Sequence, residues 1–170
     1  RRYAAPRFRA RRGRSLGAWA EKIGQTLAES ADAHRIADVA VGCFLSGGVD
    51  SSLVTRETAR SQPNVQCFSV GYAEGTYSEL PAARAAARAL GVPLTETTVT
   101  AAEFFAANRA IQWYLDEPMP NPAEVPLYFL CKAARQRVKV VLSGEGADEL
   151  FGGYPLYRQA VWAERWQKMP

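Results

Sequence analysis

Several features that define other protein classes are missing from this sequence of 170 residues. It has no run of about 18 apolar residues, so we expect no transmembrane helix and no membrane partner. The first residues lack the apolar core of a signal peptide, and we expect none. His34 is the single histidine. It cannot build a histidine-based metal site by itself, and we expect it on the surface of a helix.

The sequence has three cysteines, and their spacing indicates no pair. Cys43, Cys67 and Cys131 stand in apolar surroundings, and no two of them form a Cys-x-x-Cys pair. An odd number of dispersed cysteines is typical of reduced thiols rather than of a disulfide framework. We therefore expect three buried, reduced thiols in a cytoplasmic protein.

The positive charge of the chain is concentrated at one end. Seven of the 21 Lys and Arg residues are arginines within the first fourteen positions, and the remainder is slightly acidic. Such an arm could bind nucleic acid. We favour an exposed linker over residues 1–15, because the arm has few aromatic residues and no nucleic-acid motif. Residues 16–170 are then one domain, long enough for a real core.

Apolar periodicity predicts alternating helices and strands. Short, β-branched apolar runs predict strands at 39–45, 65–70, 93–99 and 138–142. Helical spacing predicts helices at 16–35, 51–61, 79–90, 101–115 and 123–136, and the first of these carries an apolar stripe of Leu16, Trp19, Ile23, Leu27 and Ala31. Strands separated by helices indicate an α/β fold: an open, mostly parallel, twisted sheet with helices on both faces.

A glycine-rich turn follows the first strand. It reads Ser46-Gly47-Gly48-Val49-Asp50-Ser51-Ser52, and a helix comes directly after it. Glycines let the backbone approach a ligand, and the N–H groups at a helix N-terminus favour an anion. No lysine follows, so the turn is not a Walker A loop. Asp50 would repel a phosphate unless Mg²⁺ lay between them, so the turn predicts a metal-bound polyphosphate. The alternative is an ordinary strand-to-helix turn.

A second polar turn follows the fourth predicted strand. It runs from Ser143-Gly144 to the acidic residues Glu145, Asp148 and Glu149. We expect strands one to three to step outward in one direction and strand four to return to the other side of strand one. The two Ser-Gly turns would then lie side by side at the carboxyl ends of their strands, where ligands bind in such sheets. The alternative for the second turn is a helix N-terminus with acids in its first turn.

Both turns resemble motifs of a known enzyme superfamily. The turn from Ser46 to Ser52 resembles the pyrophosphate loop of the ATP pyrophosphatases (PP-loop superfamily), a Rossmann-like three-layer sandwich. The stretch from Leu142 to Tyr154, together with Phe68-Ser69-Val70-Gly71, Tyr77-Ser78-Glu79 and Asp116-Glu117-Pro118, is similar to the synthetase domain of glutamine-hydrolysing asparagine synthetases. The resemblance covers residues 16–158.

The resemblance implies a set of site residues. The residues implied to bind ATP are Leu45, Ser46, Gly47, Gly48, Asp50, Ser51, Ser52, Val70, Gly71, Ser143 and Gly144. Leu45, Val70 and Gly71 would lie against adenosine, and the first turn would hold the β- and γ-phosphates. Asp50 and Asp148 would hold Mg²⁺. Glu145 and Asp148 would be catalytic, and Glu145 would be the base that takes a proton from ammonia.

The resemblance also implies the reaction. ATP would activate the β-carboxylate of aspartate as β-aspartyl-AMP with release of pyrophosphate, and ammonia derived from glutamine would displace AMP to give asparagine. It implies a homodimer for the full-length protein. Related alternatives are a β-lactam-forming synthetase, another carboxylate amidase or a non-catalytic ATP-binding module. The loops 73–78 and 116–126 would distinguish the acceptors.

Three departures from the family pattern set a further expectation. Val49 replaces the commoner leucine of the loop. No cysteine stands at the start of the chain to serve a glutaminase domain, and the chain stops before the catalytic lysine that the family places beyond Gly-Gly-Tyr. We therefore expect a synthetase domain truncated at its C-terminus, without its N-terminal glutaminase domain, that binds ATP and does not complete the synthesis alone.

Overall fold

A four-stranded parallel sheet is the centre of the fold in the computed structural model. The structure describes residues 13–73, 78–118, 121–157, 159 and 162. The strands are β1 (Val41–Phe44), β2 (Gln66–Tyr72), β3 (Leu94–Val99) and β4 (Val140–Leu142). The helices with defined bounds are α1 (Leu16–His34), α2 (Val49–Ser61), α3 (Leu80–Leu90), α4 (Ala101–Leu115), α5 (Glu124–Ala134) and α6 (Ala147–Phe151).

The order of the strands is β3-β2-β1-β4, and all three pairings are parallel. Cys43 of β1 lies opposite Cys67 of β2 on one side and opposite Leu142 of β4 on the other. This is the predicted order, with the fourth strand returning to the free side of the first. The carboxyl ends of β1 and β4 are therefore neighbours.

Successive side chains of the strands point to opposite faces, and each face has its own core. Cys43, Leu45 and Cys67 pack with Ala87 of α3 and Ala59 of α2 on one face. On the other face the core is formed mainly by aromatic and aliphatic residues of the strands and α5, namely Phe68, Leu130, Ala134 and Val138, with Phe44, Val70 and Val141 beside them. Helices on both faces confirm the predicted α/β class.

Helix α2 starts at the first turn and carries a buried glutamate along its length. The helix begins at Val49, two residues earlier than predicted, with Gly48 as its N-cap. Further along, the buried Glu57 accepts hydrogen bonds from Arg56 and Arg60. Burial alone would raise the pKa of the Glu57 carboxyl, but the hydrogen bonds and charges of the two arginines outweigh it and lower that pKa.

Two expectations about burial are corrected. Cys43 and Cys67 are buried, but Cys131 is exposed, because it lies on the solvent side of α5 while Leu130 and Ala134 face the sheet. Helix α1 begins at the predicted residue and ends at His34, one residue before the predicted end, yet Ala31 is the only residue of that helix that is buried. Leu16 is 87% exposed, so the apolar stripe of α1 does not pack along its whole length in the described structure.

Parts of the expected organisation lie outside the described residues. These are positions 1–12 of the basic arm, positions 74–77 of the loop 73–78, and positions 119–120 of the loop 116–126. Within the described part of the chain, no helix is long and apolar enough to cross a membrane.

Candidate functional site

The first turn is held together by its own hydroxyl groups. The hydroxyls of Ser46 and Ser51 are 2.9 Å apart, and the Ser51 hydroxyl also accepts from the backbone N–H of Ser46. The Ser46 hydroxyl accepts from the N–H of Gly48. Gly47 has φ +85°, and a Cβ there would overlap the backbone of Ala82 in α3. The turn therefore requires glycine at this position, as its close approach to α3 leaves no room for a side chain.

The backbone donors at the start of α2 are available to a ligand. Among the described residues, no acceptor pairs with the N–H groups of Gly47, Val49 or Asp50. The first N–H groups of a helix lack intrahelical partners, and they carry the positive end of the helix dipole. These donors, on a helix of 13 residues, can bind the oxygens of a phosphate group.

The second turn leads from β4 into the short helix α6. The N–H of Glu145 donates to the Ser143 hydroxyl at 3.4 Å, and the N–H of Leu150 donates to the Gly146 carbonyl at 3.1 Å. Gly146 is the N-cap of α6 with φ +87°, a conformation that favours glycine. The turn therefore presents Glu145, Asp148 and Glu149 within five residues.

The two turns are in direct contact. A Cβ on Gly144 would lie 2.9 Å from the backbone nitrogen of Ser51 and 3.0 Å from the Cβ of Asp50. Such distances are shorter than van der Waals contact, so only glycine lets the second turn approach the first this closely. The predicted juxtaposition of the two Ser-Gly turns is present in the structure, and the contact is between backbones.

A cavity of about 300 Å³ lies between the two turns and the sheet. Its lining includes ten of the residues implied by the resemblance: Leu45, Ser46, Gly48, Asp50, Ser51, Val70, Ser143, Gly144, Glu145 and Asp148. Gly47, Ser52 and Gly71 do not line it. A Cβ on Gly71 would overlap the Ser78 hydroxyl and the side chain of Leu80, so any other residue at this position would displace both.

Sequence reasoning missed the apolar wall of the cavity. The apolar residues of this wall are Phe44, Phe68, Leu127 and Leu130. The cavity is also lined by Ser69, Glu79, Gly146 and Tyr154. Phe44 and Phe68 are partners in the register of β1 and β2, so the alternation of these strands could have placed both on the same face. No comparable sequence signal exists for Leu127 and Leu130, since their positions at the cavity depend on the orientation of α5 against the sheet.

Tyr154 and Glu149 form a pair at the edge of this cavity. The tyrosine hydroxyl donates to Oε1 of Glu149 at 2.8 Å. The hydrogen bond to the Glu149 carboxylate raises the pKa of Tyr154 to about 12, since loss of the phenolic proton would place two negative charges together. Tyr154 therefore remains a donor at neutral pH.

The carboxylates suit a metal only in combination with a ligand. Asp50 and Asp148 line the same cavity from opposite turns. Within the described ranges, no group of three or more His, Cys, Asp or Glu side chains is arranged to hold a metal ion. Mg²⁺ commonly takes one or two protein carboxylates and completes its shell with phosphate oxygens and water. The two aspartates fit such a shared site, and they do not form a closed protein cage.

A second cavity of about 410 Å³ lies on the other side of the two turns. Leu27 and Ala31 of α1 line it, as do Leu53 and Val54 of α2. It shares a wall with the first cavity, formed by Asp50, Ser143, Gly144 and Glu145. The C-terminal part of the α1 stripe therefore faces this second cavity.

Comparisons with known proteins agree with the fold and the motifs. A family model described as asparagine synthase matches residues 22–170. A Mycobacterium tuberculosis protein assigned to the glutamine-hydrolysing asparagine synthetases is 48% identical over 141 residues, which are 83% of this chain and 22% of that protein. The glutamine-hydrolysing asparagine synthetase 1 of Bacillus subtilis is 38% identical over 150 residues, 88% of this chain and 24% of that protein. The chain thus spans less than a quarter of the length of these relatives.

A solved structure supports the fold independently of sequence identity. The glutamine-dependent NAD⁺ synthetase of Acinetobacter baumannii, solved in complex with ADP, superimposes with a TM-score of 0.54 at 19% identity. The match covers 85% of this chain and 29% of that chain. The predicted α/β fold, an open parallel sheet with helices on both faces, is therefore confirmed.

Proposed function

Because the chain belongs to the asparagine synthase family, we propose that it forms the ATP-cleaving site of a glutamine-dependent asparagine synthetase. The observation that carries the proposal is the contact between the two turns at Gly144. That contact brings backbone and hydroxyl donors of the first turn, at Ser46, Asp50 and Ser51, and the carboxylates of the second turn to one cavity. A polyphosphate needs such donors, and a cavity with apolar walls beside them suits a nucleoside.

The proposed reaction has two steps. An oxygen of the aspartate β-carboxylate attacks the α-phosphorus of ATP, the bond from that phosphorus to the bridging oxygen breaks, and pyrophosphate leaves. Ammonia then attacks the β-carbonyl carbon of β-aspartyl-AMP. The bond from that carbon to the AMP oxygen breaks, a proton passes to a base, and asparagine and AMP result.

Each turn has a distinct part in this reaction. The N–H group of Asp50 and the hydroxyls of Ser46 and Ser51, residues that line the cavity, bind the β- and γ-phosphates and orient the leaving pyrophosphate. Ser143 and Gly144 lie beside the nucleotide, and Leu45 and Val70 lie against adenosine. Glu145 lines the cavity, which supports its assignment as the base that takes the proton from ammonia.

Asp50 and Asp148 would hold Mg²⁺ in this proposal. The ion would supply positive charge that neutralises the charge developing on the leaving pyrophosphate. In the complete protein, glutamine hydrolysis would supply the ammonia. A homodimer and a cytoplasmic location belong to the same proposal, since they follow from the family resemblance alone.

The decisive experiment measures pyrophosphate release by the complete protein with ATP, Mg²⁺, glutamine and a panel of carboxylic acids. We expect release with aspartate and with none of the other acids. Release with another acid instead would assign the chain to a related adenylating synthetase. No release with any acid would leave only an ATP-binding module.

A variant tests the metal proposal separately. Asp50→Ala removes one of the two carboxylates, and we expect it to abolish Mg²⁺-dependent ATP binding in a chain that remains folded. Asp38→Ala is the matched control, because Asp38 is exposed before β1 and lines neither cavity. Calorimetric titration with ATP, with and without Mg²⁺, measures both. Equal ATP affinity of Asp50→Ala and the wild type would contradict the proposed metal site.

A further inference from the structure

The helix that carries two of the acidic residues is too small to fix their directions by itself. α6 has five residues, none of them buried, and Leu150 and Phe151 are exposed. The first turn of a helix costs more conformational entropy than its single hydrogen bond returns, so isolated short helices are unstable in water. The position of the Asp148 and Glu149 carboxylates must therefore depend on contacts from outside α6.

Those contacts come from the two residues after the C-cap of α6. The N–H of Gly153 donates to the carbonyl oxygen of Asp148 at 3.0 Å. A Cβ on Gly153 would overlap Oδ1 of Asp148, so the aspartate side chain occupies the space that any other residue would need. The hydroxyl of Tyr154 donates to Oε1 of Glu149 at 2.8 Å. One residue thus contacts each acidic side chain.

We propose that Gly153 and Tyr154 are positioning residues that hold the Asp148 and Glu149 carboxylates at the first cavity, which lies between the two turns and the sheet. The proposal rests on the proposed function of that cavity. Tyr154 fixes one oxygen of Glu149 and leaves Oε2 without a contact from Tyr154. Gly153 acts through the absence of a side chain, since any Cβ would push the Asp148 carboxylate out of its place. The Gly-Gly-Tyr end of the motif therefore fixes the positions of the acidic side chains that precede it.

Tyr154→Phe tests the hydroxyl. It keeps the ring, which lies 5.7 Å from the ring of Tyr157, and removes the hydrogen bond to Glu149. Hydrogen bonds to charged groups are worth more than neutral ones, and we expect kcat/KM for pyrophosphate release by the complete protein to fall about tenfold. Tyr157→Phe is the matched control and should leave kcat/KM unchanged, because Tyr157 does not line the cavity.

A double-mutant cycle separates positioning from a general loss of structure. If Tyr154 acts through Glu149, then adding Tyr154→Phe to Glu149→Gln should lower kcat/KM by less than twofold further. Independent tenfold losses that multiply in the double variant would show that Tyr154 does not act through Glu149, and would overturn its assignment.

Gly153→Ala tests the second contact. Because the added methyl group displaces the Asp148 carboxylate, we expect the Mg²⁺ concentration for half-maximal ATP binding to rise at least tenfold. Gly24→Ala is the matched control, since a Cβ at Gly24 meets no atom within 4 Å. Unchanged Mg²⁺ dependence in Gly153→Ala would overturn the assignment of Gly153.

Amide hydrogen exchange on the chain without ligand tests positioning independently of any activity. The amides of Leu150 and Gly153 donate to Gly146 and Asp148. We expect both to exchange at least fivefold faster in Tyr154→Phe and at the wild-type rate in Tyr157→Phe. Unchanged exchange would overturn the proposal, as would faster exchange with unchanged kcat/KM. A wild type that releases no pyrophosphate would instead overturn the proposed function, and exchange would still decide whether Tyr154 orders α6.

Discussion

Gly144→Ala is the substitution that tests most directly whether the two turns must touch. Its Cβ would lie 2.9 Å from the Ser51 nitrogen and 3.0 Å from two atoms of Asp50, whereas non-bonded atoms prefer about 3.5–4.0 Å. The nearest neighbours are mostly backbone atoms, which cannot rotate away. The second turn must therefore retreat by roughly half an ångström to one ångström.

This displacement has two consequences of different size. Overpacking of this kind costs about 1–3 kcal/mol of stability, so the variant should still fold. A misplacement of about 1 Å in a reacting assembly can cost on the order of a hundredfold in rate. We therefore expect pyrophosphate release by the complete protein to fall tenfold to a hundredfold, by the same estimate, with a smaller effect on unfolding.

The assays are urea unfolding, calorimetric titration with MgATP, and pyrophosphate release. Gly17→Ala serves as the control, because it adds the same methyl group in α1 where nothing lies within 4 Å. If Gly144→Ala bound MgATP and released pyrophosphate like the wild type, the contact between the turns would not be required, and the argument for a site shared between them would be refuted.

Two further predictions concern the body of the fold. Glu57 has a lowered pKa in the folded chain, so its ion pairs stabilise the fold above the ordinary carboxyl pKa of about 4.5, and that contribution is lost as the pH falls through the lowered value. The stabilities of wild type and Glu57→Gln in urea should therefore differ at neutral pH and converge in acid; curves that stayed parallel would contradict this. Burial raises the pKa of all three cysteine thiols, that of Cys67 to about 12, but only Cys131 is exposed, so a thiol reagent at mildly alkaline pH should label only Cys131 until the chain unfolds. Labelling of all three cysteines at equal rates in the folded chain would contradict the burial.

The positions of the strands and of the two turns could be predicted because both depend on local patterns. Each strand is a short apolar run, and each Ser-Gly turn follows one such run directly. The carboxyl ends of parallel strands lie at the same edge of the sheet, and ligands bind there, so both turns are expected at that edge. Residues such as Ser46, Asp50 and Asp148 could be placed at one edge of the sheet without knowledge of any tertiary contact.

The remaining features depend on how whole helices are oriented, which a sequence pattern does not determine. Cys131 stands in an apolar stretch, but the rotation of α5 turns it to solvent and turns Leu130 inward. The apolar stripe of α1 is present, yet most of it is not buried. The contacts of Gly153 and Tyr154 also follow from a turn whose path is set by glycines at the end of α6, and no periodicity predicts them.

The order of the strands also constrains how the chain can fold. β1 pairs with β2 across about 24 residues, from Cys43 to Cys67, but with β4 across about a hundred, from Cys43 to Leu142. Closing the longer loop costs about 1 kcal/mol more in chain entropy. The β1–β2–β3 unit can therefore form early, with the first turn already in place. The ability to hold a nucleotide between two turns arises only when β4 joins, so ligand binding reports completion of the sheet.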